Sequence, residues 1–273
     1  MSDIIHEKQN LSYLSWTRLR NSSGMAGSFL KAYTEFEGNK KYYKLSNYDG
    51  MNGVVGHECI NDIIVDRLLS ILGIEHLSYT LINADIIVDG KIINTYLCSS
   101  DNFRKKGEDK IALDTFYEME HQENETPLEF CIRNGWSNYI FKMFLVDYLI
   151  LNRDRHGANI EVLRDKKRKT IRLAPLFDHG LSLLCMCRTP EDIEKFDITE
   201  DKRVQCFVGS NSTLNNLKLI PKDEIITLSP LRENDKEKLL EGLEDILSPA
   251  LSDKIWEMIW KRWCNYEDIF NKK

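Results

Sequence analysis

The sequence predicts an α+β chain of two lobes, strand-rich over residues 1–103 and mostly helical over 104–273. Three observations carry that expectation. β-favouring segments with apolar alternation crowd the first hundred residues, one helical period interrupts them, and beyond residue 126 the long apolar periods are nearly all helical. A chain of 273 residues is long enough to bury a sizeable core as one large domain or two packed lobes.

The elements follow in order. "KKYYKLSNY" (40–48) is rich in the aromatics that strands favour. "GHECINDIIVDRLLSILGI" (56–74) has helical spacing, with Ile60, Ile63, Ile64, Leu68, Ile71 and Leu72 as its apolar stripe and Gly73 as its stop. "LSYTLINADIIVDGKIINTYLCSS" (77–100) reads as two strands turned at Asp89-Gly90. Residues 104–126 are polar and read as a connector. "WSNYIFKMFLVDYLIL" (136–151) is a buried helix, and "NIEVLRDKKRKTIRLAPLF" (159–177) is a hairpin with the basic cluster Lys166 to Lys169 at its tip. "DKEKLLEGLEDIL" (235–247) is a further helix. "LSDKIWEMIWKRWCNYEDIF" (251–270) closes the chain as an amphipathic helix with Ile255, Ile259 and Trp263 inward.

Composition narrows the function classes. Apolar content of 42% and charged content of 29% describe a globular protein, and 37 basic against 43 acidic residues give a net charge of −6. That balance supplies no general attraction to nucleic acid or membranes, and neither is expected as a partner. Seven cysteines without metal-type spacing, in a chain with no secretory leader, point to reduced thiols and a cytoplasmic location. The strongest apolar run, "MFLVDYLIL", is too short and too charged to cross a bilayer.

The chemistry concentrates in "LILNRDRHGANIEVL" (149–163), where a buried helix ends and a hairpin begins. Asp154 and Asn159 stand five apart there, and a second acid, Asp178, follows the hairpin in "APLFDHG". Phosphoryl transfer from a nucleotide needs a carboxylate to orient the acceptor hydroxyl and take its proton. It also needs oxygen ligands for Mg²⁺, and D-x-x-x-x-N followed by an acid on a returning strand supplies that set. Gly180 would let the backbone turn sharply beside the metal. A cation for the phosphates is at hand in Lys44, in "KYYKLS", with Glu58 and Asp62 one helical turn apart as alternative anionic partners. Upstream, Gly24 and Gly27 in "NSSGMAGSF" lie in a loop that could close over phosphates through backbone N–H groups.

Each feature also has a plain structural reading. A lone strand lysine is usually a solvated side chain, and an Asp or Asn at a helix-to-strand junction is usually a cap. His156 fits loop bracing better than proton transfer, and Cys185 and Cys187 form a single C-x-C with no second pair to make a zinc site. "KKRK" reads as a solvated hairpin tip. What departs from chance is the ordered combination of lysine strand, acidic helix, D-x-x-x-x-N loop and D-x-G.

On "NRDRHGANIEVL", "IRLAPLFDHGLSLL", "YYKLS" and "NDIIVDRLLSILGI", the chain resembles the HipA-like serine/threonine kinases, a branch of the kinase-like fold that also includes the phosphoinositide kinases. The likeness covers roughly residues 20 to 185, and the helical tail only in kind. It implies a bilobal kinase-like fold, with ATP and Mg²⁺ as cofactors and a protein hydroxyl as acceptor. It implies Asp154 as catalytic base, Asn159 and Asp178 as catalytic Mg²⁺ ligands, Lys44 on the nucleotide phosphates, and the Ser22 to Ser28 loop over them. Nucleotide-binding candidates are then Lys44, Glu58, Asp62, Ser23, Gly24, Gly27 and His156, with the hinge of "NTYLCSSDNF" reading adenine near Tyr96 and Cys98. Ser22, Ser23 and Ser28 are candidates for autophosphorylation. With 43 residues ahead of Lys44, the chain has no room for the extra N-terminal subdomain of toxin-type members and is expected to be a compact kinase core. A lipid or small-molecule kinase and a nucleotide-binding pseudokinase are the alternatives on the same scaffold.

Overall fold

The computed structural model of the chain describes residues 3–19, 26–224 and 226–270, with the backbone alone at Leu19, Ala26, Gly27 and Ser28. First come β1 (Ile4–Asn10), β2 (Thr17–Leu19), β3 (Ala26–Phe36) and β4 (Asn39–Lys44). Two short strands, β5 (Tyr48–Asp49) and β6 (Gly53–Val54), lead into helix α1 (Glu58–Leu72). β7 (Thr80–Val88) and β8 (Lys91–Asp101) then complete a six-stranded sheet of order β1-β7-β8-β4-β3-β2. Its neighbours run antiparallel except β1 and β7.

Strand alternation decides what each face of that sheet carries. Tyr43, Ile82, Ala84, Ile86 and Leu97 fill one apolar cluster, whereas Leu81 and Cys98 belong to the other, against α1. Lys44, one residue on from Tyr43, therefore faces α1. The β7–β8 turn falls on Asp89-Gly90, both at positive φ (51° and 74°), as a two-residue type I′ turn requires. α1 buries Ile60, Ile63, Ile64, Leu68 and Leu72 and stops at Gly73, whose φ of 71° admits the left-handed cap; the Ile74 N–H reaches back to the Leu69 carbonyl at 2.9 Å.

Residues 104–126 are structured rather than a connector. They contain β9 (Glu108–Ala112) and α2 (Leu113–Glu120), followed by α3 (Pro127–Arg133) and α4 (Ser137–Ile150). "EDKIA" has no apolar run to announce a strand; what makes it one is a long-range partner. After β10 (Asp154–Arg155) and a 3₁₀ turn at Gly157–Asn159, the expected hairpin appears as β11 (Glu161–Asp165) and β12 (Thr170–Leu173), and β9 pairs along all five residues of β11.

Beyond lie α5 (Pro190–Lys195), β13 (Gln205–Cys206), α6 (Thr213–Lys218), α7 (Asp235–Leu240) and α8 (Pro249–Phe270). α7 is shorter than the sequence predicts: it ends at Leu240, and Gly242, at φ 73°, turns the chain out of helical geometry. One contiguous buried cluster joins Ile63, Ile64 and Leu68 of α1 to Phe144 and Leu145 of α4 and to Ile255, Ile259 and Trp263 of α8. Each such side chain contributes roughly 1.5–3 kcal/mol by leaving water. The buried Arg262 pins α8, donating to the carbonyls of Ile198 (3.0 Å), Tyr148 (3.1 Å) and Glu200 (2.8 Å).

Candidate active site

The junction after α4 is built by the one acid of that largely apolar helix. Asp147 is buried, and the guanidinium of Arg155 closes on it as a fork, Nε to Oδ2 at 2.9 Å and Nη2 to Oδ1 at 2.8 Å. Burial works against the charge of Arg155, and the Asp147 carboxylate outweighs it, so the guanidinium is held above even its ordinary high pKa. The remaining nitrogen, Nη1, donates to the carbonyls of Asn159 and Phe177, both at 3.2 Å. A single side chain thus ties the D-x-x-x-x-N loop to the residue before Asp178. The loop backbone is fixed from outside as well, with the Gln205 N–H on the Arg153 carbonyl (3.0 Å) and the Arg153 N–H on the Leu181 carbonyl (2.9 Å).

Within this frame Asp154 is partly exposed, and its carbonyl accepts the Asn159 side-chain amide at 2.7 Å. That bond uses the nitrogen end of Asn159 and leaves the oxygen, the end a hard cation takes, outside it. His156 braces the loop: its Nδ1 accepts the Ala158 N–H at 3.1 Å and its Nε2 lies 3.7 Å from Asp154 Oδ2. Gly157 is required by close approach, since a Cβ there would stand 2.4 Å from Asp114 Cβ of α2.

The second half of the site arrives from the sheet. Lys44 Nζ pairs with Asp62 and lies 2.9 Å from Asp178 Oδ1. Asp62, fully buried, also accepts the His179 N–H at 2.9 Å. Of the two acids left open by the sequence, Asp62 is therefore the lysine's partner. Glu58 turns aside, its Oε2 accepting the Asn47 N–H at 2.9 Å. Burial works against the charge of Lys44, but the carboxylates of Asp178 and Asp62 outweigh it and hold the ammonium well above the ordinary lysine range.

Asp178 itself sits at φ 57°, a left-handed conformation that costs an L-residue about 1–2 kcal/mol. Its N–H donates to the Tyr79 hydroxyl at 3.0 Å, and its Oδ2 lies 3.5 Å from Lys31 Nζ of β3. Positive φ therefore falls on the acid and not on Gly180. Gly180 serves by close approach instead, because a Cβ there would lie 3.0 Å from Glu58 Cβ and 3.1 Å from Lys44 Nζ. Asn61 of α1 clamps the same segment, donating to the carbonyls of Gly180 and Ser182, both at 3.0 Å.

Other expectations fare differently. Ser22, Ser23 and Gly24 lie outside the described residues, while Gly27 and Ser28 lie in β3 rather than in a loop. The backbone at Cys98 and Ser99 is paired on both sides, to Leu81 and Thr80 of β7 and to Lys44 and Tyr43 of β4, so it has no free edge for adenine. Tyr96 points elsewhere, its hydroxyl hydrogen-bonded to His6 at 3.2 Å. Cys98 is buried behind the lysine, its thiol 3.7 Å from Asp62 Oδ2. Cys185 and Cys187 are buried free thiols. Lys31, Tyr79 and the Asp147–Arg155 fork join the site beyond the residues that the sequence motifs mark. A lone acid among ten buried residues of α4 was a legible signal for Asp147; Lys31 becomes visible only through its register opposite Lys44.

The residues suit a divalent ion of the magnesium type. Among the described residues no group of three or more His, Cys, Asp or Glu side chains could enclose a metal. One carboxylate and one amide oxygen, completed by phosphate and water, is instead how Mg²⁺ is ordinarily held.

No family model matches the chain, and no curated protein does. Among solved structures, the crystal structure of the Helicobacter pylori proinflammatory kinase CtkA superposes with a TM-score of 0.59 at 14% identity, over 95% of each chain. HipA, in the Shewanella oneidensis MR-1 complex with HipB and operator DNA, gives a TM-score of 0.41 at 14% identity, over 93% of this chain and 59% of that one. The fold of the chain is thus that of the CtkA kinase, mixed α+β over nearly its whole length.

Proposed function

We propose that this chain, with the fold of the CtkA kinase, is an ATP- and Mg²⁺-dependent kinase that phosphorylates serine or threonine hydroxyls of a protein, itself included. The observation that carries the reading is the convergence on Asp178 of Lys44 and Lys31 from the sheet, with Arg155 holding the Asp154–Asn159 loop beside it. Two ammonium groups and one carboxylate beside the Asp154–Asn159 loop are what nucleotide phosphates with a bridging cation require. Asn159 and Asp178 would hold the magnesium, which when bound neutralises charge on the phosphate oxygens. Lys44 and Lys31 bind the phosphates, and Asp62 keeps Lys44 aimed. Asp154 orients the acceptor hydroxyl and takes its proton as the new oxygen–phosphorus bond forms and the bond to the leaving diphosphate breaks.

Incubation with radiolabelled ATP and Mg²⁺, followed by separation of protein, lipid and small-molecule fractions, tests the reading. Label on phosphoserine or phosphothreonine supports it. Label confined to lipid or a small molecule moves the chain to another kinase class, and ATP binding without transfer makes it a binding module.

A further inference from the structure

Two basic runs 60 residues apart in sequence become one surface in the fold. "RKK" (104–106) precedes β9 by one residue, Gly107, and "KKRK" (166–169) is the tip of the β11–β12 hairpin. Antiparallel pairing of Glu108 with Asp165 sets the two loops side by side, and Gly107 lies so close that a Cβ there would be 3.5 Å from Asp165 Oδ2. Residues 104–110 and 164–172 together carry ten basic side chains against three acidic ones, an excess of seven in a chain whose net charge is −6. The rest of the molecule is correspondingly acidic, so the charge is strongly polarised.

The three acids are already engaged, Glu108 with Arg172 at 2.8 Å, Asp109 with Lys166 at 3.7 Å and Asp165 with Arg168 at 3.7 Å. Among the described residues, Arg104, Lys105, Lys106, Arg164, Lys167 and Lys169 lie within 4.0 Å of no carboxylate. Lys105, Lys106, Lys167 and Lys169 are exposed. Such a concentration raises the cost of the free state by self-repulsion and is relieved by a polyanionic partner.

We propose that this face docks the protein on an anionic phospholipid surface. The shape favours a plane over a groove. β9 flanks the hairpin along its length, giving a three-stranded end broader than the helix or two-stranded ribbon that a DNA major groove admits. The nearby ring of Phe103 packs at a tilt of 35° against Phe177 with centroids 5.6 Å apart, not presented for base stacking as single-strand binders present theirs. The exposed large apolar side chain on the hairpin is Ile171, 46% accessible and opposite Arg164 in the ladder, as an interfacial anchor beside basic groups is. Docking here is peripheral, and among the described residues no helix is long and apolar enough to cross a membrane. The five residues of β11, roughly 15 Å of strand, separate the hairpin tip from the loop that carries Asn159.

The test is co-sedimentation of the full chain with phosphatidylcholine vesicles, with and without phosphatidylserine, at low and high salt and without nucleotide. Binding is expected only with phosphatidylserine and is expected to fade with salt. The variant Lys105→Gln/Lys106→Gln/Lys167→Gln/Lys169→Gln should bind about 600-fold more weakly, at about fivefold per residue removed. Arginine at the same four positions should restore binding, and circular dichroism should show both variants folded. Failure of the wild type to sediment with phosphatidylserine, undiminished binding by the glutamine variant, or release from the vesicles by an oligonucleotide at matched charge concentration would each overturn the proposal. No outcome bears on phosphoryl transfer, because ATP is absent from the assay.

Discussion

Asp154 and Arg155 are neighbours with opposite tasks, and their burial tells them apart. Asp154 is partly exposed, and Asp154→Asn changes charge and hardly changes shape. Nucleotide affinity by calorimetry should stay within a few-fold of wild type, while phosphate transfer falls by about 10²-fold or more. A variant that transfers at the wild-type rate takes Asp154 out of the mechanism. Arg155 is 1% exposed, and its removal leaves the buried Asp147 carboxyl without its cation, held by the Asn152 side-chain amide at 2.8 Å. Arg155→Ala should cost about 3–5 kcal/mol in urea unfolding. The double change Asp147→Leu/Arg155→Met should recover much of that, because an apolar pair of similar volume carries no unpaired charge. Equal penalties in the two variants would show that the fork's worth lies elsewhere than in charge pairing.

Among the elements, α1 has the most to hold. It presents Asp62 to Lys44 and to the His179 N–H, Asn61 to the Gly180 and Ser182 carbonyls, and Asp66 to His76. Both ring nitrogens of His76 meet acceptors, Nδ1 the Ile74 carbonyl at 2.6 Å and Nε2 the Asp66 carboxylate at 2.9 Å, and only an imidazolium carries both protons. Burial opposes the charge, but the Asp66 hydrogen bond and the Ile74 carbonyl outweigh it and raise the pKa above the ordinary histidine value. A histidine whose folded pKa is raised contributes stability that is complete below its unfolded value, about 6.5, and is lost as pH rises through the folded value. His76→Gln should therefore destabilise the protein more at pH 6 than at pH 8.5, as read from urea midpoints. The same penalty at both pH values would mean that His76 is neutral in the fold.

At the scale of the whole molecule, the lysines proposed to bind phosphate come from the six-stranded sheet and the metal-binding candidates from the segments around the three-stranded β12-β11-β9 sheet. A nucleotide with its metal should therefore clamp both and raise the melting temperature. With ligand at about 100 times its dissociation constant the gain is about 2.7 kcal/mol, or about 5 °C for a chain of this size. Chelation of Mg²⁺ by EDTA should abolish that increment, and Asp178→Ala should show none in the first place. A full shift in EDTA would remove the metal from nucleotide binding.

How much of this was legible before folding depends on the range of the interaction. The α1 stripe with its Gly73 stop, the Asp89-Gly90 turn, the buried α4 and the β11–β12 hairpin all follow from local periodicity and turn chemistry, which the sequence states by itself. So does the grouping of Asp154, Asn159 and Asp178, because one helix end and one hairpin carry them. What the tertiary structure decided is non-local pairing. The choice of Asp62 over Glu58 depends on which turn of α1 faces β4; Lys31 meets Asp178 only because β3 and β4 pair in one register; and β9 is a strand only because β11 lies beside it. The joining of two basic loops into one face has the same origin. An antiparallel ladder brings residues together according to register; a two-residue turn sets it locally for β7–β8 and β3–β4, but no turn joins β9 to β11, so their register is decided only when distant parts of the chain meet.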